Sequence, residues 1–244
     1  MITQAIRAFG YYMKAIPLIS ELRLWKYVLI SAIISLVVAA VTLYSSTFIG
    51  VIISEFLSGF YKWDTGSGVF SNITKWLATI LSGLTFLFLL RYILLIILAP
   101  IMSFLSEEVE EKFTGRSLNK GFSLARSGKE LIRGVRMALR NISRELFFTA
   151  ILFILGFIPI FAPFSLVMIF LVQAYYAGFG NTDYYLERHM GLKESAQQMK
   201  RNKGLAIGNG GIYLGLLLIP VIGVIFGPVL ATISATVQAI EDEL

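Results

Sequence analysis

No cysteine occurs in the 244 residues, and histidine occurs once, at His189. The first absence removes disulfides, thiolate chemistry and cysteine-based metal sites. The second removes any multi-histidine metal site. Charge is scarce as well: 15% of residues are charged and 57% hydrophobic, with a mean hydropathy of +0.76. A soluble domain carries about 25% charge and about 45–50% apolar residues, so the chain reads as an all-α integral membrane protein. His-Glu-x-x-His, Gly-x-Ser-x-Gly and Gly-x-x-x-x-Gly-Lys-Ser/Thr are all missing. That leaves no constellation for an enzyme, no implied cofactor and no ATP site. Any transport would be passive or ion-coupled. The first 26 residues lack an apolar core ending in a small-residue cleavage site, so no removable signal peptide is expected. The net charge of +6 sits beside apolar runs, where topology and anionic headgroups account for it better than nucleic acid.

What is present is long uncharged runs, two of them broken by proline. Residues 147–179 carry no charge, with Pro159 and Pro163 near the middle, and residues 204–240 repeat the pattern with Pro220 and Pro228. A hydrocarbon core of about 30 Å needs about 20 residues of helix, so each run is too long for one straight span. Each half is too short to span: Phe147 to Ile158 would reach about 18 Å at 1.5 Å per residue. Both runs read as helical hairpins that enter the bilayer and return, a geometry that survives only when packed in protein or lining a wet cavity. The two also resemble each other as a weak internal repeat.

The rest of the chain resolves into one membrane domain. Residues 1–22 form a short helix with Ile2, Ile6, Phe9, Met13 and Ile16 at helical spacing, expected to lie at the interface or dock. The first transmembrane helix is 27–54, and 55–76 is a Gly/Ser/Asp-rich loop. The second span is 77–105, interrupted only by Arg91. The polar segment 106–146 contains a basic amphipathic helix. Leu131, Ile132, Val135, Leu139, Ile142 and Leu146 form one set, and Lys129, Arg133, Arg136, Arg140 and Arg144 the other. The two centre about 130° apart at 100° per residue. A basic connector, 181–203, joins hairpin 147–179 to hairpin 204–240.

Basic residues number four in the N-terminal segment, nine in 106–146 and five in 181–203, whereas the 55–76 loop has only Lys62 and Lys75. The positive-inside rule then puts both termini, the central helix and the connector in the cytoplasm. Residues 147–179 must begin and end on one side, as a re-entrant hairpin does. Charge and proline agree on two full spans and two hairpins. Such a set cannot shield its own broken backbone from lipid, so a homo-oligomer surrounded by membrane lipid is expected.

From Ala99-Pro100 through Ser106-Glu107-Glu108-Val109-Glu110 to Phe113-Thr114-Gly115 the chain resembles the CysZ family of bacterial sulfate permeases. Ile158-Pro159, Asp183-Tyr184, Leu192-Lys193-Glu194, Ile219-Pro220 and Gly227-Pro228-Val229 fall in the same order as similar residues of that family. The resemblance implies two long transmembrane helices with two half-penetrating helix pairs, a bacterial inner membrane, and sulfate as substrate. The family's sulfate-linked segment before the first span has a Gly, an apolar residue and two adjacent basic residues. Here it reads Glu21-Leu22-Arg23-Leu24-Trp25-Lys26, without the glycine and with the basic pair split.

Three cations are candidates for anion binding. Arg23 and Lys26 stand at the mouth of the first span, where helix N–H groups favour anions; their plainer reading is as cytoplasmic anchors. Arg91 lies mid-run, where a charge costs at least ~2.5–3.5 kcal/mol. It reads as part of an ion path, as tied to an internal partner such as Glu55, or as snorkelling to the outer interface. Glu107, Glu110 and Glu111, one turn apart, are expected to pair with connector Arg or Lys rather than to bind metal. The arginine stripe reads as a lipid-facing or solvated face, or as an electropositive vestibule. Two functions remain: a permease or channel for a small oxyanion, sulfate first, and a membrane-organising or assembly protein with no transported substrate.

Overall fold

A computed structural model describes residues 2–59, 79, 82–83, 86, 89–116, 124–158, 160–219 and 221–244. Most of the 55–76 loop, much of the first half of the second span, and Pro159 and Pro220 themselves lie outside the described residues. Among these residues the regular elements are all helical: α1 (Ile2–Glu21), α2 (Trp25–Gly59), α3 (Leu89–Ile97), α4 (Ala99–Thr114), α5 (Leu124–Gly156), α6 (Ala162–His189), α7 (Leu192–Arg201), α8 (Lys203–Leu217) and α9 (Ile222–Glu241). Three stretches are long and apolar enough to cross a membrane: Trp25–Ile52, Ala162–His189 and Ile222–Glu241. A fourth candidate is α3 with α4, bent by 63°.

The bend falls inside the stretch expected to run straight to Leu105. Pro100 has no N–H for the carbonyl of Ile96, and its ring crowds that carbonyl. The ladder persists around it, with Leu98 N–H on the Leu94 carbonyl at 2.9 Å and Met102 N–H on Leu98 at 2.8 Å. The axis therefore turns without coming undone.

α5 is one continuous helix of 33 residues. It joins the basic amphipathic segment to the first arm of the expected hairpin. A turn at Phe157–Phe161 returns the chain into α6, whose first turn carries Pro163 where no N–H is needed. The two run antiparallel, since Gly156 lies against Ser165, Arg140 over the Phe179 ring, and Arg133 against Asp183. α8 and α9 are antiparallel in the same way: Leu216 meets Gly223, Tyr213 meets Gly227, and Asn209 bonds the Ala231 carbonyl. Pro228 is not at that turn. It lies inside α9 and is buried, because the turn is completed by Val221, a valine held at φ +65°. A β-branched residue there is a backbone outlier.

The core is the crossing of α6 on α8. A Cβ on Gly178 would lie 1.9 Å from the Ala206 carbonyl oxygen, and one on Gly210 would lie 1.9 Å from that of Ala174. Bare backbone meets bare backbone, the small-residue contact that membrane helices use where lipid removes the hydrophobic drive. α1 packs on α8 and α9 through Ala8, Tyr12 and Ala15, with Tyr12 Oη donating to the Asn209 carbonyl at 3.0 Å. Its apolar stripe of Ile6, Phe9, Met13 and Ile16 is exposed. α5 repeats the inversion: Leu131, Ile132, Leu139 and Leu146 are exposed while Gly134, Met137, Ala138 and Asn141 are buried.

Candidate functional site

Arg23 lies in the turn between α1 and α2. The Leu24 N–H reaches back to the Ile19 carbonyl (2.8 Å) and the Arg23 N–H to Ser20 (3.1 Å), with Leu24 and Ile19 both in the core. This is a Schellman ending, whose left-handed residue is usually glycine. Here it is Arg23, at φ +54°. Its side chain is exposed and forms no ion pair with a described residue. α4 braces the turn from behind. Lys112 Nζ donates to the Leu22 carbonyl and to Glu108 Oε1, and Lys26 Nζ stands 2.8 Å from Glu108 Oε2. Lys26 is therefore half neutralised and also lies over the Tyr27 ring. Both expected cations at this mouth are exposed; Lys26 is paired with Glu108, and Arg23 has no ion pair with a described residue.

Arg91 is 3% exposed and meets Glu145, 1% exposed, through two contacts of 2.5 and 2.6 Å from Nη2. Tyr92 Oη donates to the same carboxylate, Arg91 Nη1 reaches the Gln173 carbonyl at 3.4 Å, and the guanidinium lies over the Tyr92 ring. The internal partner that a buried arginine requires thus comes from α5 rather than from the outer end of the first span. Glu145 was not singled out in the sequence; its signal was a carboxylate next to Arg144, at the apolar end of the arginine stripe of α5.

The acidic turn of α4 splits its work. Glu110, buried, accepts Arg188 Nε (3.0 Å) and Nη2 (2.7 Å), and its other oxygen is 2.8 Å from His189 Nε2. His189 ends α6, stacked near Tyr185. Glu107 is buried in α4, and the Glu111 carbonyl accepts the capping N–H of Gly115. Glu108, outside the expected trio, holds Lys26 and Lys112.

The arginine stripe is divided too. Arg136 and Arg144 are exposed, but Arg133 turns inward to fork onto Asp183 at 3.0 and 2.8 Å and reaches Ser195 at 2.9 Å. Burial works to lower the pKa of Arg133, but Asp183, with Glu187 behind it, overcomes this and raises it.

Inside these clamps lie neutral polar groups. Ser106 and Thr236 hydroxyls are 2.8 Å apart between α4 and α9, and Asn181 donates to Asn209 at 2.9 Å between α6 and α8. Ser31, Ser35, Ser103, Ser234 and Gln238 are fully buried. Their side-chain polar atoms have no hydrogen-bond partner among the described residues. Natural interiors leave few such groups.

The family described as sulfate transporter CysZ/etoposide-induced protein 2.4 matches residues 11–228. The chain belongs to that family. No curated protein matches the chain closely enough to count as a relative. The CysZ/etoposide-induced match takes in the Arg23 turn, the three polar clamps and both hairpin turns, stopping at Pro228 inside α9. It agrees with the all-helical, membrane-type architecture.

Proposed function

We propose that the chain is a permease or channel for a small oxyanion, sulfate in the first place, working without ATP in a bacterial inner membrane. The family match over residues 11–228 carries the reading. The anion enters from the cytoplasmic or lipid-water boundary past Arg23, with Lys26 and the first turn of α2 adding positive potential. Arg91 enters this proposal as a structural brace, since its guanidinium already holds Glu145. Beyond the mouth, the anion exchanges hydration for hydroxyl and amide donors on α2, α4 and α9, of which Ser31, Ser35, Ser103, Ser234 and Gln238 are the available ones. Neutral donors suit an anion that must also leave.

In the same proposal the α5–α6 and α8–α9 hairpins dip into the bilayer from the cytoplasmic side, and both termini are cytoplasmic. The α5–α6 tip supports this: Leu131, Ile132, Val135 and Leu139 are exposed further back along α5, but the dense band of exposed apolar side chains runs from Leu146 to Phe170. That is roughly twelve residues an arm, or about 18 Å of helix. Copies of the chain associate to cover what the hairpins leave bare.

Uptake of labelled sulfate into proteoliposomes tests the function. Flux above that of empty vesicles, saturable and blocked by competing oxyanions, is expected. No flux across several oxyanions would sink the permease and leave the membrane-organising role.

A further inference from the structure

A cavity of about 550 Å³ lies between α5, α6, α7 and α8 and takes no part in the path just proposed. Its volume is within the range of small-molecule sites, about 300–1,000 Å³. Its lining has two ends. Arg144, Lys200 and Lys203 supply three cations, while Phe148, Leu171 and Val172 supply an apolar wall. No carboxylate lines it, and none of the three cations forms an ion pair with a described residue.

The surroundings extend both characters. Arg140 stands behind the cationic end, over the ring of Phe179, which itself lines the cavity. Burial lowers its pKa, and the nearby charge of Arg144 lowers it further. Three cations therefore converge on a lining that holds no carboxylate, while Asp183 acts on Arg140 from behind. In the other direction the wall runs into exposed Phe147, Ile151, Val167 and Phe170, continuous with the apolar belt of the hairpin tip. A free oxyanion would match the first end alone. A ligand with a phosphate and a hydrocarbon chain matches both, and basic pockets between helices on the cytoplasmic side are where such headgroups bind.

We propose that this cavity holds an anionic phospholipid, its phosphate gripped by Arg144, Lys200 and Lys203 and the first part of an acyl chain laid along Phe148, Leu171 and Val172. The proposal needs only that the chain is membrane-embedded, and stands whether or not it carries sulfate.

The test is native mass spectrometry of the full-length purified protein with equal amounts of dioleoylphosphatidylglycerol and dioleoylphosphatidylcholine. The anionic lipid should be retained preferentially. In the variant R144Q/K200Q/K203Q its retention should fall roughly 100-fold, at about 1 kcal/mol for each charge removed, with the melting temperature in phosphatidylcholine nanodiscs unchanged. Val172→Trp, which fills the apolar end and keeps the cations, should also weaken retention. If the triple variant does not fold, Lys200→Gln and Val172→Trp decide the matter. Equal retention of the two lipids by the wild type overturns the proposal. So does full retention by these variants. Displacement of the lipid by millimolar sulfate or glycerophosphate, with Val172→Trp silent, would instead assign the cations to a free anion.

Discussion

Arg23 keeps its left-handed backbone at a helix ending where glycine would be at ease, and a left-handed conformation costs a side-chain-bearing residue about 1–2 kcal/mol. Strain of this kind persists where the side chain is needed. Arg23→Gly should therefore leave thermal stability between unchanged and about 1 kcal/mol higher, since glycine's extra unfolded entropy offsets part of the relief. The same change should lower sulfate flux. Arg23→Lys should keep the strain and part of the flux. If Arg23→Gly transports as well as wild type, the turn is an anchor and no more. Arg91 gives the opposite kind of prediction, with stability as its readout. Arg91→Gln strands Glu145 at 1% exposure and should destabilise by about 3–5 kcal/mol. Arg91→Met with Glu145→Leu should cost clearly less than the sum of the single changes, as a coupled pair requires. Melting curves in one detergent measure the stability changes, and uptake into proteoliposomes measures the flux.

Helices were legible in the sequence, but several of their faces were not. Proline and charge marked where α5–α6 turns, because a missing N–H acts locally, but α5 starts at Leu124 rather than 147 and α6 runs to His189, into the expected connector. The packed faces of α1 and α5 defeated the usual inference from an apolar stripe. Ile6, Phe9 and Met13, or Ile132 and Leu139, look outward, and Ala8, Ala15, Gly134 and Ala138 pack inward. In lipid a leucine gains nothing by leaving the solvent, so small residues and polar links make the contacts. For the same reason Arg133 and Arg140 turn in and find Asp183, Ser195 and the Leu192 carbonyl. No local spacing reports such a partner fifty residues away. The α6–α8 crossing offers the test at this scale. Gly210→Ala should cost at least the roughly 1–3 kcal/mol of overpacking, since the new methyl would meet the Ala174 carbonyl. Gly215→Ala, with nothing within 4 Å, should be neutral or slightly stabilising. Equal melting temperatures for the two would refute the backbone contact.

For the whole molecule, two antiparallel hairpins joined back to back bring Met190 and Leu244 to the same cytoplasmic side in our reading. Single cysteines at those positions should react with a membrane-impermeant maleimide only from the cytoplasm, and one at Ser67, in the loop outside the described residues, only from outside. Outside labelling at Met190 would turn α5–α6 into a true span. The Arg91–Glu145 link, 54 residues apart in sequence, also has a consequence for synthesis. A ribosome adds about 5–20 residues per second, so α3 waits roughly 3–11 s before its counter-charge is made. Through that interval the nascent second span carries an arginine with no Glu145 to receive it. Its insertion should be reversible until α5 has emerged: chains stalled before residue 145 should be extracted from membranes far more readily than longer ones, and Arg91→Leu should remove the difference.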